Sequence, residues 1–325
     1  MGEIARVLIY GDPHLHSKNY GAHNDYANES LECFKKITDA VEKYKVNVLL
    51  GLGDFTYGRF HTLEYRAQVE EQLVKQYKLV NGNHMVLKGN HDSAGYGMTE
   101  YEYYISKGMF QAARNFTLGC VHFTLVDSGK YNEVIPNIGG DQSINVLLAH
   151  DFFKFKDTQM PDFGKHIELD EFTRWYGVDH IICGHIHSQH KFEGLMINSN
   201  GESAVGHRVT VQYPGAMSRP SYREGHMDTK GQLILLTLYD DDTMKYEEID
   251  IELLPLDQSF NLAVKEKEKA KEAEKENRVD ISDIISNLST HERSVGNPED
   301  IIMSMEGIDD KYKKKAIDLL KLGQA

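Results

Sequence analysis

Residues 46–54 read Val-Asn-Val-Leu-Leu-Gly-Leu-Gly-Asp, a short apolar run closed by a glycine and an acid. Val46–Leu50 has the length and character of a buried strand, and helix-patterned segments stand on either side of it, at Glu29–Tyr44 and Leu63–Tyr77. Similar strand-like text occurs at Val7–Tyr10, Met85–Leu87, His122–Val126, Ile144–Leu148 and Asp179–Ile182. Strands interleaved with helices predict an α/β fold. From Val205 to Glu252 the pattern changes to Gly- and Pro-punctuated strands (Val209–Tyr213, Gln232–Tyr239, Lys245–Ile251) without helices between them, which predicts a second, more antiparallel sheet. Two sheets facing one another make a sandwich.

Outward from these strands, 325 residues with 40% hydrophobic content suffice for one substantial core and an appendage. The expected organisation is a main domain over residues 1–256, a charged linker over 257–279 and a small C-terminal helical module over 280–325. Lys265–Asn277 is Lys, Glu and Ala with almost no apolar residue, and a helix polar all round has no face to dock. Beyond it Ile281, Ile284, Ile285 and Leu288 share a face, and Ile301–Met305 and Ala316–Leu322 give two further short stripes. Asn297 and Pro298 stand at cap and first-turn positions. No run approaches the ~18 apolar residues of a spanning helix, and the text opens directly on a strand, so a soluble, cytoplasmic protein with no membrane partner is expected. Cys33, Cys120 and Cys183 show no paired spacing and are expected as reduced core residues. The formal charge of −14 disfavours loose adsorption to a polyanion, but it leaves room for a site where metal ions and a local basic patch meet a phosphate.

Five clusters each follow directly on a predicted strand: Asp12-Pro13-His14, Gly53-Asp54, Gly89-Asn90-His91-Asp92, Ala149-His150-Asp151 and Gly184-His185-Ile186-His187. Functional side chains converge at the carboxyl ends of strands in open α/β sheets. Singly, Asp-Pro, Gly-Asp and Gly-Asn are turn dipeptides, and a histidine after a strand is commonly a hydrogen-bonded structural residue. Together they read as one site. A His, Asp and Asn set without cysteine suits hard-to-borderline divalent ions, with Mn²⁺ the first choice and Fe²⁺, Zn²⁺ or Mg²⁺ the alternatives; calcium prefers an all-oxygen cage. Two ions ~3.5–4 Å apart, sharing one carboxylate, would polarise a phosphodiester and generate a hydroxide in line with the departing oxygen. Asp54 is the natural bridge. Gly11, Gly53, Gly89 and Gly184 read as points where the backbone turns sharply away from each strand end.

In this order and spacing the clusters resemble the calcineurin-like metallophosphoesterase superfamily, whose pattern is D-x-H, G-D, G-N-H-D/E, H and G-H-x-H, over about Val7 to His187. The resemblance implies a four-layer α/β/β/α sandwich of two mixed sheets. It also implies one metal held by Asp12, His14, Asp54 and His187 and a second by Asp54, Asn90, His150 and His185. His91 would then be a catalytic non-ligand that stabilises the pentavalent phosphorus or protonates the leaving oxygen, with catalytic Asp92 orienting its ring and raising its basicity.

Asp12-Pro-His-Leu-His16 followed by Tyr20-Gly21 is similar to the opening of the SbcD nuclease and its eukaryotic counterpart, the meiotic recombination eleven nuclease. Gln212-Tyr-Pro-Gly215, Ser218-Arg-Pro220 and Asp228-Thr-Lys230-Gly231 resemble that family's Y-P-G-S, R and E-x-K-G segment. This finer resemblance implies a DNA exonuclease or endonuclease of repair or recombination, and the compact length suits a bacterial or phage version acting in the bacterial or infected-host cytoplasm. The resemblance also implies a C-terminal segment docked on the coiled-coil base of an SMC-like ATPase of SbcC type, the alternative being a helical tail packed on its own domain. It implies a homodimer paired through helices near the core, for which Leu63–Tyr77 has an amphipathic pattern that a helix lying on its own sheet would share. Departures are His16 where the family has Gly, Tyr57 where many members carry a second histidine with His61 near enough to substitute, and a charged linker where a DNA-capping domain would begin. The alternatives are a stand-alone phosphoesterase for small phosphodiesters, nucleotides or phosphoprotein, and a non-catalytic adaptor.

Overall fold

In β1 (Glu3–Tyr10), Val7 and Ile9 enter one buried cluster while Leu8 and Tyr10 enter another. Successive side chains of a strand point to opposite faces, so an unbroken apolar run marks a strand covered on both sides. Val7 and Ile9 pack with Leu50, Leu52, Phe123, Leu125, Val146, Leu148, Ile182, Ile234 and Leu236. This is the layer between two facing sheets.

The computed structural model describes residues 2–16, 25–57, 62–93, 97–134, 137–140, 143–160, 165–169, 176–197, 206–219 and 231–253, with 302, 303, 313, 314 and 317. The chain divides into two units, Met1–Leu256 and Asp257–Ala325. In the first unit, β2 (Val48–Gly51), β3 (His84–Val86) and β4 (Gln111–Ala112) extend β1 as a parallel set on one side. The second sheet begins with β5 (Phe116–Leu118) and β6 (Val121–Val126), and β7 (Ile144–Ala149) and β10 (His180–Cys183) continue it in parallel with β6. A separate short pair is formed by β8 (Phe153–Lys154) and β9 (Ile167–Glu168).

The last strands depart from expectation. Rather than forming a sheet of their own, β11 (His190–Ile197) and β12 (Gly206–Tyr213) finish the second sheet, with β12 parallel to β10. The chain then crosses to the first sheet, where β13 (Gly231–Tyr239) lies antiparallel to β1 and β14 (Met244–Ile251) forms the edge. Leu233–Leu238 is buried at every residue, which requires a position inside a sheet with both faces covered. Local pattern fixes that requirement but not the neighbour. Both sheets are mixed, and the fold is the expected α/β sandwich.

The outer face of the first sheet carries α1 (Asp25–Lys43), α2 (Leu63–Leu79) and the short α3 (Glu100–Ser106). Phe34, Ile37 and Val41 of α1 and Val69 and Leu73 of α2 pack with Leu8, Leu49 and Leu235. Gln76 Nε2 donates to the Thr38 hydroxyl at 2.9 Å, a buried hydrogen bond that joins the two helices. Thr62 caps α2 by accepting from Tyr65 N. On the outer face of the second sheet, Leu147, Ile181, Val209 and Val211 are covered among the described residues by Phe152, Phe153, Phe155 and Leu169 from the β8–β9 region, rather than by a helix.

Cys33, Cys120 and Cys183 are free thiols. No helix among the described residues is long and apolar enough to cross a membrane. In the second unit the five described residues are helical, with Ile302 buried and Lys313 donating to Met303 O at 3.1 Å. The charged linker, the rest of the helical module, Tyr20-Gly21, His61, Pro220 and Asp228 to Lys230 lie outside the described residues.

Candidate metal centre

All five clusters sit just beyond a strand's carboxyl end, after β1, β2, β3, β7 and β10. Because β1 to β3 run parallel, as do β7 and β10, their ends open on the same edge of the sandwich. Asp12, His14, Asp54 and His187 offer ligand atoms within 4.8 Å of one another, and Asp54, His150 and His185 form a second such group. Asp54 belongs to both. Asn90 joins the second group, its Oδ1 lying 3.0 Å from both His150 Nε2 and His185 Nδ1. All seven expected ligand positions therefore meet in one pocket.

The donor set fits divalent cations. His14 Nε2 and His187 Nε2 lie 2.8 Å apart, and His150 Nε2 is 3.4 Å from Asp54 Oδ2. Asp12 Oδ1 is buried with no hydrogen-bond partner, although Asp12 Oδ2 accepts from His185 N at 2.7 Å. Converging imidazole nitrogens beside an unsatisfied buried carboxylate oxygen are costly unless a cation completes them. His150 Nδ1 donates to Leu52 O at 2.7 Å, leaving Nε2 as the nitrogen aimed at Asp54 and Asn90. Nothing in the sequence marks Leu52 O for that duty.

The backbone is bent to make this geometry. His14, Asp54 and His185 have φ of 45°, 44° and 79°, left-handed values that cost on the order of 1–3 kcal/mol each for residues other than glycine. Of the four neighbouring glycines only Gly53, at φ 101°, serves a left-handed turn. Gly89 is required by space: a Cβ there would stand 2.1 Å from Asp54 N and from Asp54 Oδ1. Close approach rather than a left-handed turn governs the other three: at Gly89 the loop after β3 presses on the loop after β2, and a Cβ at Gly11 or Gly184 would stand 2.1 Å from Gly215 O or 2.4 Å from Asp12 Oδ1.

Burial pushes the Asp12 carboxyl up to about 7 despite the opposing charge of His150. Burial acts in the same sense on Asp54, but the hydrogen bond and charge of His150 with the charges of His14 and His91 outweigh it and hold that carboxyl below the usual range. For His150 burial works downward, yet the Asp12 and Asp54 carboxylates prevail and raise it to about 10. His185 is lowered to about 4 by burial and by the charge of His150. The metal-free site therefore holds a proton on His150 at neutral pH, and that proton and a cation at Nε2 exclude one another. Metal uptake at pH 7 is expected to release about one proton per chain from His150, and binding should tighten about tenfold per pH unit below pH 10 through that group alone. Calorimetry in buffers of different ionisation enthalpy reads the number released; binding heats independent of the buffer would contradict it.

Asp92 departs from its expected role. Its carboxylate accepts from Phe55 N at 3.1 Å, Thr56 N at 3.0 Å, Thr56 Oγ1 at 3.3 Å and Gly89 N at 3.0 Å. It ties the loop after β2 to the loop after β3 instead of orienting the His91 ring. Burial, then the charge of Asp54, raise it to about 6 against those backbone bonds. His91 stands at the rim with its side chain 39% exposed, its N–H donating to Asp54 Oδ1 at 2.8 Å and its Nε2 4.0 Å from Asp54 Oδ2.

The loop after β12 closes another side. Met217 N donates to Asp12 O at 2.9 Å, Ala216 N to His187 O at 3.1 Å, and Ser218 Oγ to Pro13 O at 2.7 Å. Buried Arg219 pairs with buried Glu29 of α1 through its Nε and Nη2, and Arg219 N donates to Glu29 Oε1 at 2.8 Å. Arg219 stands in a recognisable motif, whereas Glu29 gives no local sign of a partner 190 residues away.

A sequence profile described as calcineurin-like phosphoesterase matches residues 5–189. No curated protein matches the chain. Among solved structures it is similar to a dimetal phosphatase from Danio rerio, at 12% identity and a TM-score of 0.39, over 78% of this chain and 100% of that one. Since the profile spans more than half of the sequence and ends just beyond the last candidate ligand, His187, the chain belongs to the calcineurin-like phosphoesterase family.

Proposed function

We propose that this metallophosphoesterase hydrolyses DNA phosphodiesters with two divalent ions, Mn²⁺ first among them, as the nuclease subunit of an SbcC–SbcD-like assembly. The observation that carries the nuclease reading is the loop from Tyr213 to Arg219. Its sequence resembles the SbcD segment, and its backbone is bonded directly to the chain at Asp12 and His187. A segment with that resemblance is thus built into the metal site.

Asp12, His14, Asp54 and His187 would hold one ion, and Asp54, Asn90, His150 and His185 the other. Bound divalent cations supply the positive charge that polarises a phosphoryl oxygen and lowers the pKa of water. The chain's own part is to hold that arrangement rigid. Leu52 O fixes the His150 tautomer, Asp92 locks the two loops that bear Asp54 and Asn90, and the half-exposed His91 reaches the substrate side to steady the phosphoryl group or protonate the leaving oxygen. A helical segment in 280–325 would dock on an SMC-like ATPase, and two copies would pair near the core.

A second reading, hydrolysis of small phosphodiesters, nucleotides or phosphoprotein without a partner, draws on the formal charge of −14, which repels a polyanion outside the immediate site. A Mn²⁺-supplemented assay separates the two. Release of nucleotides from linear duplex or hairpin DNA is expected, and turnover confined to small phosphodiesters would reject the nuclease.

A further inference from the structure

We propose that Tyr57 is the residue that positions His91, fixing the plane of its imidazole by contact between rings where a carboxylate was expected to do so. The inference rests on His91 acting at the phosphoryl group. The terminal torsion of a histidine is broad and has no sharp preferred angle of its own. A rim imidazole that must address a reacting oxygen therefore needs a neighbour to set its plane. Asp92 does not supply this, because both its oxygens are engaged by Phe55, Thr56 and Gly89.

Tyr57 does stand beside the ring. The two centroids are 4.9 Å apart with an interplanar angle of 34°, inside the ~4.5–7 Å range in which aromatic rings attract. His14 stands nearly perpendicular to His91 at 5.4 Å and 80°, so two rings flank the imidazole. Tyr57 is itself held among rings, 5.6 Å from His14 and 5.9 Å from His16. That gives His16, the departure beside Leu15, a supporting role.

Both backbones are pinned, which makes the contact a fixed one. Tyr57 N donates to Leu15 O at 3.0 Å, Leu15 N donates to Phe55 O at 3.0 Å, and Leu15 and Thr56 form a parallel bridge. His91 N donates to Asp54 Oδ1. Asp92 thus acts on His91 at one remove, by holding Thr56 so that the next residue presents its ring. What matters at position 57 is an aromatic face rather than a titrating group.

The test uses the full-length chain, without added metal and again with diamagnetic Zn²⁺, in parent, Tyr57→Phe and Tyr57→Ala forms. In histidine-labelled protein the His91 ring-proton resonances, displaced by the neighbouring ring current, are expected to stay in place in Tyr57→Phe and to move in Tyr57→Ala. In Mn²⁺-loaded enzyme kcat should fall about 10²-fold in Tyr57→Ala, with KM and metal stoichiometry unchanged. Tyr57→Phe should restore nearly all of it. Resonances identical in parent and Tyr57→Ala would overturn the proposal, as would a Tyr57→Phe enzyme as slow as Tyr57→Ala. Resonances that move while kcat holds would overturn the positioning role of Tyr57 if His91→Ala is slow, and would instead remove His91 from the chemistry if His91→Ala is as active as the parent.

Discussion

Asp54→Asn is expected to lower the bound metal from two ions per chain to one or none and to abolish most phosphodiesterase activity. Asp54 is the one carboxylate common to both ligand groups, and it is 1% exposed, so no other acid can swing in to replace it. Asparagine keeps the shape and one acceptor for the His91 N–H, but it removes the charge that both cations would share. One cation is worth several kcal/mol of transition-state charge stabilisation. A loss of about 5 kcal/mol corresponds to nearly four powers of ten in rate. The same substitution withdraws one of the two carboxylates that raise His150, so the His150 titration should move down in the metal-free variant. Elemental analysis after dialysis, with rates on a phosphodiester at saturating Mn²⁺, decides the matter. Two ions retained together with activity within tenfold of the parent would show that Asp54 is not the bridge.

His91→Ala should separate chemistry from metal binding. Its imidazole is the exposed one at the rim, whereas His14 and His150 are fully buried among the candidate ligands. The tie from His91 to Asp54 runs through the backbone N–H, which alanine retains. Metal content is therefore expected to remain at two ions per chain, and kcat should drop by about 10²- to 10⁴-fold, the usual contribution of a positioned proton donor. KM should change little, because the group acts on charge that develops in the transition state. An undiminished kcat would exclude His91 from the reaction. A parallel loss of bound metal would make it a ligand instead.

What the sequence determined by itself was the set of candidate ligand clusters and the place of each at a strand's carboxyl end. Each cluster is a few consecutive residues at the end of an apolar run, so local text carries both the strand and the chemistry that follows it. The alternation of Val7 and Ile9 against Leu8 and Tyr10 likewise encodes a doubly covered strand within four residues. Everything that depended on a distant neighbour was settled only by tertiary structure. Residues 231–239 read as a buried strand, but their place beside β1 rather than beside β12 depends on pairing across more than 220 positions. Asp92 follows His91 in the chain, yet its carboxylate turns to three donors in the loop after β2 and to Gly89 N, which together outcompete a single imidazole. Glu29 finds Arg219, and Tyr57 finds His91, for the same reason. Side-chain periodicity records which face of an element is covered; the partner that covers it is selected by the packing of the whole sandwich.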